Sequence, residues 1–195
     1  MLRLQFRDVE VRRAGGAAGV AIRHGGVTLC IDALGLDGCD VLLYTHSHPA
    51  HFPEGVADFY SPFGGRVVRP GEVLELGPFR VAVTDAYNVT KLQAGRPFHP
   101  RGEGVGYVVD AGGVRLYHTG DTDLVKEMSS AGPVDILLVP IGGGSVMTPE
   151  EAAEAVMLLR PKITIPLHYS EKRQYVKFRD IAYPYTNIIA LHSDI

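Results

Sequence analysis

The sequence has no tryptophan, only two cysteines and no long apolar run. A chain of 195 residues can bury a core without disulfides, so we expect Cys30 and Cys39 to be buried or half-buried small apolar side chains. Neither lies in a Cys-x-x-Cys pair, and nothing indicates an oxidising compartment. A membrane span needs roughly 18 apolar residues, and the amino terminus lacks the apolar segment of a secretory signal. We expect a cytoplasmic protein without a membrane partner.

The chain also has few charged residues of either sign. The chain carries 19 Lys and Arg against 22 Asp and Glu, a formal net charge of -3. No basic run is present to hold a polyphosphate, so a nucleic-acid partner is not expected.

Short β-branched runs bounded by glycine dominate the first two thirds of the chain. Such runs are typical of strands, and the Gly-Gly pairs at 25–26 and 112–113 indicate hairpins between them. Two later runs are almost wholly apolar, which is typical of strands covered on both faces. The predicted strands are 20–24, 27–31, 41–45, 73–76, 79–83, 106–110, 114–118, 135–140 and 162–166.

One helix is strongly indicated between the last two predicted strands. Thr148 is a good N-cap, proline follows at the first helical position and Glu151 completes a capping box, so we expect a helix from Thr148 to about Leu159. Weaker patterns indicate helices at about 49–58, 122–130 and 171–181. No linker-like or repeated segment interrupts the chain. We therefore expect a single domain over residues 1–195, with two sheets and helices outside them.

Eight histidines stand out in this composition, because imidazole ligates metals and moves protons near neutral pH. Three of them, His46, His48 and His51, lie within six residues after an apolar run. Imidazoles at i and i+2 of an extended chain point to the same side, and a turn into a helix brings the i+5 imidazole back towards them. The loop can therefore surround a cation. The alternative is three solvated loop histidines.

Two further segments place a metal-ligating side chain directly after a strand. Asp121 follows the predicted strand 114–118 and a glycine, and His168 follows the apolar run 162–166. Taken alone, Asp121 is typical of a turn or N-cap carboxylate and His168 of a core histidine. Because strand ends bring distant segments to one rim, we expect both to join the histidine loop, with Asp121 as a bridging ligand.

The order of these motifs resembles the metallo-β-lactamase superfamily of metal-dependent hydrolases, and the resemblance covers most of the chain. Segments 86–88, 98–100, 104–107, 117–123 and 140–148 resemble its compact branch of ascorbate-6-phosphate lactonase-like proteins. The resemblance implies an α+β fold, the αββα sandwich of two mixed sheets with helices outside. It implies one or two zinc ions, or manganese or iron, at the rim between the sheets. It also implies a small-molecule substrate, an ester, a lactone or a phosphate-containing compound, attacked by a metal-bound hydroxide.

Carried onto this chain, the resemblance assigns His46 and His48 to the first metal and His51 and His168 to the second. Asp121 is the implied bridge between them.

Two positions depart from the family pattern. The family loop normally reads His-x-His-x-Asp-His, and the aspartate is Ala50 here, so we expect a weakened second metal site. The third histidine of the first site is often found where this chain has Asn88. His99 is the candidate to replace it, and the alternative is an exposed loop histidine.

The remaining three histidines are not predicted to be metal ligands. His118 is predicted to act with Asp121, as a donor that orients a ligand carboxylate, or else to be a buried histidine at a strand end. His24 and His192 have no assigned role.

Two functions stay open. The first is a metal-dependent hydrolase with a weakened second site. The second is a catalytically impaired member of the same fold that works as a binding or scaffold protein, an interpretation that Ala50 favours. A nuclease is not expected from a short chain without net positive charge, and β-lactam hydrolysis is not expected without a secretory signal.

Overall fold

Two mixed seven-stranded sheets stack face to face in the computed structural model, which describes residues 2–191. The first sheet is made of β1 (Arg3–Phe6), β2 (Val9–Arg13), β3 (Val20–His24), β4 (Val27–Ile31), β5 (Val41–Leu43), β6 (Tyr60–Ser61) and β7 (Arg66–Val67), in that order. Neighbours from β1 to β4 pair antiparallel, and neighbours from β4 to β7 pair parallel.

The second sheet contains seven of the remaining strands. Its members are β8 (Val73–Leu76), β9 (Phe79–Ala86), β12 (Gly104–Ala111), β13 (Val114–His118), β14 (Ile136–Pro140), β15 (Ile163–Leu167) and β16 (Asn187–Ile188), and a separate ribbon joins β10 (Leu92–Gln93) to β11 (Arg96–Pro97). The strand order is β16-β15-β14-β13-β12-β9-β8. Pairing is antiparallel from β8 to β13 and parallel from β13 to β16.

One hydrophobic core fills the space between the sheets. It joins Ile22 and Leu29 of the first sheet to Val109 and Leu116 of the second, all fully buried. A second core lies on the outer face of the second sheet, where α1 (Pro149–Leu159), α2 (Lys172–Ala182) and the 3₁₀ helix Lys126–Ala131 pack. The expected fold class, two mixed sheets in a sandwich with helices outside, is confirmed.

The first α-helix begins where its sequence predicts. Thr148 Oγ1 accepts a hydrogen bond from Glu151 N, and a Glu151 carboxylate oxygen accepts one from Thr148 N, which is the expected capping box. The helix expected at 171–181 is α2, whereas the segment expected at 122–130 contains the 3₁₀ helix.

The helix predicted at about 49–58 is wrong, because this segment contains only turns and bends. Pro53 has no backbone N–H to donate and Gly55 has a positive φ of 82°, so a continuous helix would be unfavourable there.

Cys30 is buried and Cys39 half-buried, as expected, but the expectation that they are separate apolar side chains is wrong, because they form a disulfide with their Cα atoms 5.8 Å apart. Cys30 lies in β4 and Cys39 in the connection to β5. Since β4 and β5 are adjacent and parallel, that connection must return along the sheet, which brings the two residues together. The cytoplasmic location and the single domain stay predictions.

Among the described residues, no helix has the length and hydropathy that a membrane crossing requires. His192 lies outside the described residues.

The sheet topology sends several chain segments to one rim of the sandwich. Strands β9, β13, β14 and β15 run in the same direction, so their carboxyl ends lie at the same edge of the second sheet. The loop after β5 meets this edge, because Val105 N of β12 donates a hydrogen bond to Thr45 O at 3.0 Å. Asp121 follows β13 and His168 follows β15, so both of these predicted ligands lie at this edge beside the loop after β5.

Candidate metal centre

Six side chains from four segments converge on this rim, and all six are residues that the sequence predicts as metal ligands. They are His46, His48 and His51 after β5, His99 after β11, Asp121 after β13 and His168 after β15.

His46, His48 and His99 form one group of possible ligands. Their nearest ligand atoms lie within 4.8 Å of one another, and the ring centroids are 4.6 to 4.9 Å apart. His99 is only 3% exposed. The structure therefore places His99 beside His46 and His48 and does not leave it as an exposed loop histidine.

His51, Asp121 and His168 form a second group within the same distance limit. Asp121 lies between the two groups, since its Oδ2 is 3.2 Å from His168 Nε2 and 3.3 Å from His51 Nε2. The same oxygen is 3.5 Å from His99 Nε2 and 3.8 Å from His46 Nε2. One carboxylate oxygen thus faces imidazoles of both groups, as a bridging ligand would.

Several buried polar atoms in this cluster have no hydrogen-bond partner among the described residues. They are His46 Nε2, His51 Nε2 and Asp121 Oδ1. His51 Nε2 and Asp121 Oδ2 are close enough for an ion pair but do not have the geometry of a hydrogen bond. A buried polar atom without a partner is costly. Imidazole nitrogens and a carboxylate pointing at one another are the donor set of a divalent metal, so these residues fit one.

The protonation states suit metal binding at the first group. Burial lowers the pKa of His46 to about 3 against the opposing charge of Asp121. Burial likewise lowers the pKa of His99 to about 4. Both imidazoles are therefore neutral at neutral pH, which is the form that ligates a metal.

In the second group, the pKa of a histidine is raised and not lowered. Burial alone would lower the pKa of His51, but the carboxylates of Asp121 and Asp32 outweigh it and raise that pKa to about 10. Burial would raise the pKa of Asp121, yet His168 and His51 hold it well below its usual range. Without a cation, a proton on His51 thus partly neutralises the negative charge of Asp121.

Asp32 is a residue of this centre that the sequence argument missed. It is fully buried, with a positive φ of 51°, and its Oδ2 lies 2.9 Å from His51 Nδ1. It also accepts hydrogen bonds from Thr45 N and Thr45 Oγ1, both at 2.7 Å. Thr45 Oγ1 in turn lies 2.9 Å from His46 Nδ1. Asp32 therefore orients two of the predicted ligands, His51 directly and His46 through Thr45, and the signal for it was a carboxylate directly after the apolar strand β4.

His118 is buried beside the cluster but makes its contacts with the backbone. Gly120 N donates to its Nδ1 at 3.2 Å, which leaves Nε2 to donate to Ala18 O at 3.0 Å. Its predicted role with Asp121 stays a prediction, and these contacts favour an indirect role, holding the turn that precedes Asp121.

The segment around Ala17 links two ligand loops through the backbone. Ala17 N donates to Ala50 O at 3.1 Å, and His168 N donates to Ala17 O at 3.0 Å. Arg13 Nη2 also donates to Ala17 O, at 3.1 Å. This segment therefore ties the His46–His51 loop to His168.

A cleft of about 430 Å³ opens beside His168. It is lined by Gly16, Ala17, Gly142, Gly143, His168, Tyr169, Ser170 and Gln174. Gly142 must be glycine, because a Cβ there would lie 2.2 Å from His168 O. The glycine-rich loop after β14 thus packs directly against the last predicted ligand.

Comparisons with known proteins are consistent with this geometry. Residues 15–168 match the family model described as a beta-lactamase superfamily domain. A UPF0173 metal-dependent hydrolase of Thermus thermophilus is 34% identical over 83% of this chain and 84% of its own length.

Solved structures share the fold. A crystal structure of a metal-dependent hydrolase from Parabacteroides distasonis superposes with a TM-score of 0.84 at 21% identity and covers 97% of each chain. A metallo hydrolase from Ignicoccus hospitalis has a TM-score of 0.76 at 22% identity, over 93% of this chain and 94% of that one.

Proposed function

The chain belongs to the metallo-β-lactamase superfamily, and we propose that it is a metal-dependent hydrolase whose metal centre is the histidine cluster at the sheet rim. One observation carries the proposal. The buried Nε2 atoms of His46 and His51 point into the cluster beside Asp121 without a hydrogen-bond partner among the described residues. A divalent cation would satisfy them.

We assign the ligands in two sets. His46, His48 and His99 hold the first ion, His51 and His168 hold the second, and Asp121 is shared. Zinc suits this combination of imidazoles and one carboxylate, and manganese or iron are the alternatives.

The second set is the weaker one. Ala50 stands where the family loop has an aspartate, and its methyl group supplies neither charge nor a ligand atom. We expect the second ion to bind less tightly than the first.

Each protein group has a defined task in hydrolysis. A bound divalent ion lowers the pKa of water and polarises the bond to be broken. Asp121, kept ionised by its histidine neighbours, supplies the negative charge that the cations need. Asp32 holds His51 through Nδ1, so that Nε2 faces the centre.

The cleft beside His168 is the proposed substrate site. Its volume of about 430 Å³ is in the range of small-molecule pockets. Its lining residues include no carboxylate, which suits a neutral or anionic compound. Burial raises the pKa of Tyr169 to about 12, so its phenol stays protonated beside the substrate. With the resemblance to ascorbate-6-phosphate lactonase-like proteins, this favours a small ester, lactone or phosphate-containing substrate.

Elemental analysis tests the metal centre. We expect one to two zinc, manganese or iron ions per chain in protein purified without chelators and reconstituted with metal. His46→Asn should lose bound metal, whereas His24→Asn, a matched change at a histidine outside both ligand groups, should keep it. Less than one ion per reconstituted wild-type chain would refute the proposal.

A hydrolytic screen tests the activity. The reconstituted protein should cleave at least one of a p-nitrophenyl phosphodiester, a lactone and a thioester, and His46→Asn should abolish that cleavage. Ala50 favours the second candidate, a metal-binding member of the fold that serves as a binding or scaffold protein. A protein that holds metal but cleaves none of these compounds would support that candidate.

A further inference from the structure

Asn88 is buried just after β9 and makes three polar contacts with His99. Its Oδ1 accepts hydrogen bonds from His99 N at 2.9 Å and lies 2.8 Å from His99 Nδ1. Its backbone N–H donates to His99 O at 2.8 Å. The residue therefore holds both the backbone and the ring of His99.

The orientation of the Asn88 amide follows from its partners. The Nδ2 side faces two acceptors, Asp123 Oδ1 at 2.8 Å and Ser145 O at 3.0 Å. The other side receives the His99 backbone N–H, so it must be the carbonyl oxygen. A carbonyl oxygen can only accept, and the proton of the His99 ring must then be on Nδ1. His99 Nε2 consequently carries the lone pair, and it lies 3.3 Å from His48 Nδ1 and 3.5 Å from Asp121 Oδ2.

Asn88 is itself held by a charged network. Asp123 Oδ2 accepts hydrogen bonds from Val89 N at 2.7 Å, Thr90 N at 2.8 Å and Thr90 Oγ1 at 3.0 Å, which fixes the loop after Asn88. Lys91 Nζ bonds Asp123 Oδ1 at 2.8 Å and Glu151 Oε2 at 2.7 Å. Glu151 belongs to the capping box of α1, so the amide is anchored to a helix as well as to a strand.

We propose that Asn88 is a positioning residue that selects the Nδ1–H tautomer of His99 and aims Nε2 at the first metal. The Asp123–Lys91–Glu151 network keeps its amide from rotating. The inference rests on the proposed function, because it takes the histidine cluster to be a metal centre. Removing a residue that orients a metal-ligating side chain typically weakens metal affinity by about 10–100-fold.

Two substitutions separate the positioning role from a merely structural one. Asn88→Leu has a similar volume and removes the acceptor, whereas Asn88→Asp keeps an acceptor towards His99. Thr164→Val is the matched control, because it also removes a buried polar group, one whose hydrogen bond to Thr186 is remote from the ligand groups. Thermal melts establish that each variant is folded before it is compared.

The first measurement is the ring ¹⁵N spectrum of His99 in metal-free protein, assigned by its loss in His99→Asn. We expect the Nδ1–H tautomer in wild type, in Asn88→Asp and in Thr164→Val, and the Nε2–H tautomer or a mixture in Asn88→Leu. An Nε2–H tautomer in wild type, or an unchanged spectrum in Asn88→Leu, would overturn the proposal.

The second measurement is the Zn²⁺ affinity of the first site, by competition with a chromophoric chelator. We expect a 10–100-fold weaker affinity in Asn88→Leu, a smaller change in Asn88→Asp and none in Thr164→Val. If wild type binds metal and Asn88→Leu binds Zn²⁺ equally tightly, the proposed role of Asn88 is overturned while the proposed function stands. If wild type binds none of Zn²⁺, Mn²⁺ and Fe²⁺, the proposed function fails, and the metal role of Asn88 fails with it.

Discussion

Replacing Asp32 with asparagine removes one of two carboxylates that surround His51. In the wild type, Asp32 contacts His51 Nδ1 at 2.9 Å and accepts two hydrogen bonds from Thr45. Burial would raise the pKa of Asp32, but the contact with His51 outweighs it and holds that pKa below its usual value. The Asp32→Asn variant keeps the shape and removes the charge, while Asp121 remains on the other side of His51.

The size of the effect follows from the pKa of His51. In metal-free protein this pKa is about 10, against 6.5 in the unfolded chain. A raised pKa stabilises the folded state fully below pH 6.5, and the stabilisation is lost as the pH rises towards 10. Between pH 6.5 and 9.5 the loss amounts to about 3.5 kcal/mol, because the full slope of about 1.36 kcal/mol per pH unit applies only well inside the interval between the two pKa values. In Asp32→Asn we expect about half of that loss, because one carboxylate remains.

Urea unfolding of chelator-treated protein at pH 6.5, 8 and 9.5 measures this difference. Asp135→Asn is the matched control, because Asp135 bonds Arg115 N and Lys162 and no histidine, and it should keep the wild-type slope. Zinc-loaded wild type should lose far less stability over this range, because a ligating imidazole is already deprotonated. A metal-free wild type whose stability is constant from pH 6.5 to 9.5, or an Asp32→Asn variant with an equal slope, would refute the reasoning.

Three further perturbations test other parts of the structure. Ala50→Asp should raise the metal content towards two ions per chain in elemental analysis, because a carboxylate adds the missing negative charge; an unchanged content would mean that position 50 does not face the second ion. Reduction of Cys30–Cys39, which spans nine positions, should cost about 3 kcal/mol and lower Tm by roughly 6–12 °C in calorimetry with and without dithiothreitol; an unaltered Tm would contradict this. Gly142→Ala should destabilise the fold by about 1–3 kcal/mol in urea unfolding and weaken zinc binding, because its Cβ would lie 2.2 Å from His168 O; wild-type values for both would show that the loop adapts freely.

Features that depend on neighbours in the chain could be predicted from the sequence. The helix α1 begins at the predicted capping box, because its N-cap and its glutamate are three residues apart. The hairpins at 25–26 and 112–113 form as expected, since glycine pairs allow the positive φ that both turns require. The expectation of two sheets with helices outside them followed from these elements, whereas the strand order within each sheet is known only from the structure.

Predictions failed where the local pattern was weak or where a contact spans the fold. The segment 49–58 has polar and apolar residues at helical spacing, but its prolines and glycine prevent a helix. The disulfide depends on the parallel pairing of β4 with β5, and the spacing of Cys30 and Cys39 does not reveal that pairing.

The residue types along the chain set the chemistry of the proposed centre: three histidines in one loop and single candidate ligands after later strands. How those side chains are held depends on the fold. Asp32 meets His51 across 19 residues, and Asn88 meets His99 across 11, because strand order and sheet stacking bring their loops together. The physical reason is that a ligand's identity is a property of its side chain. Its tautomer, charge and direction are set by partners that are close in space and distant in the chain.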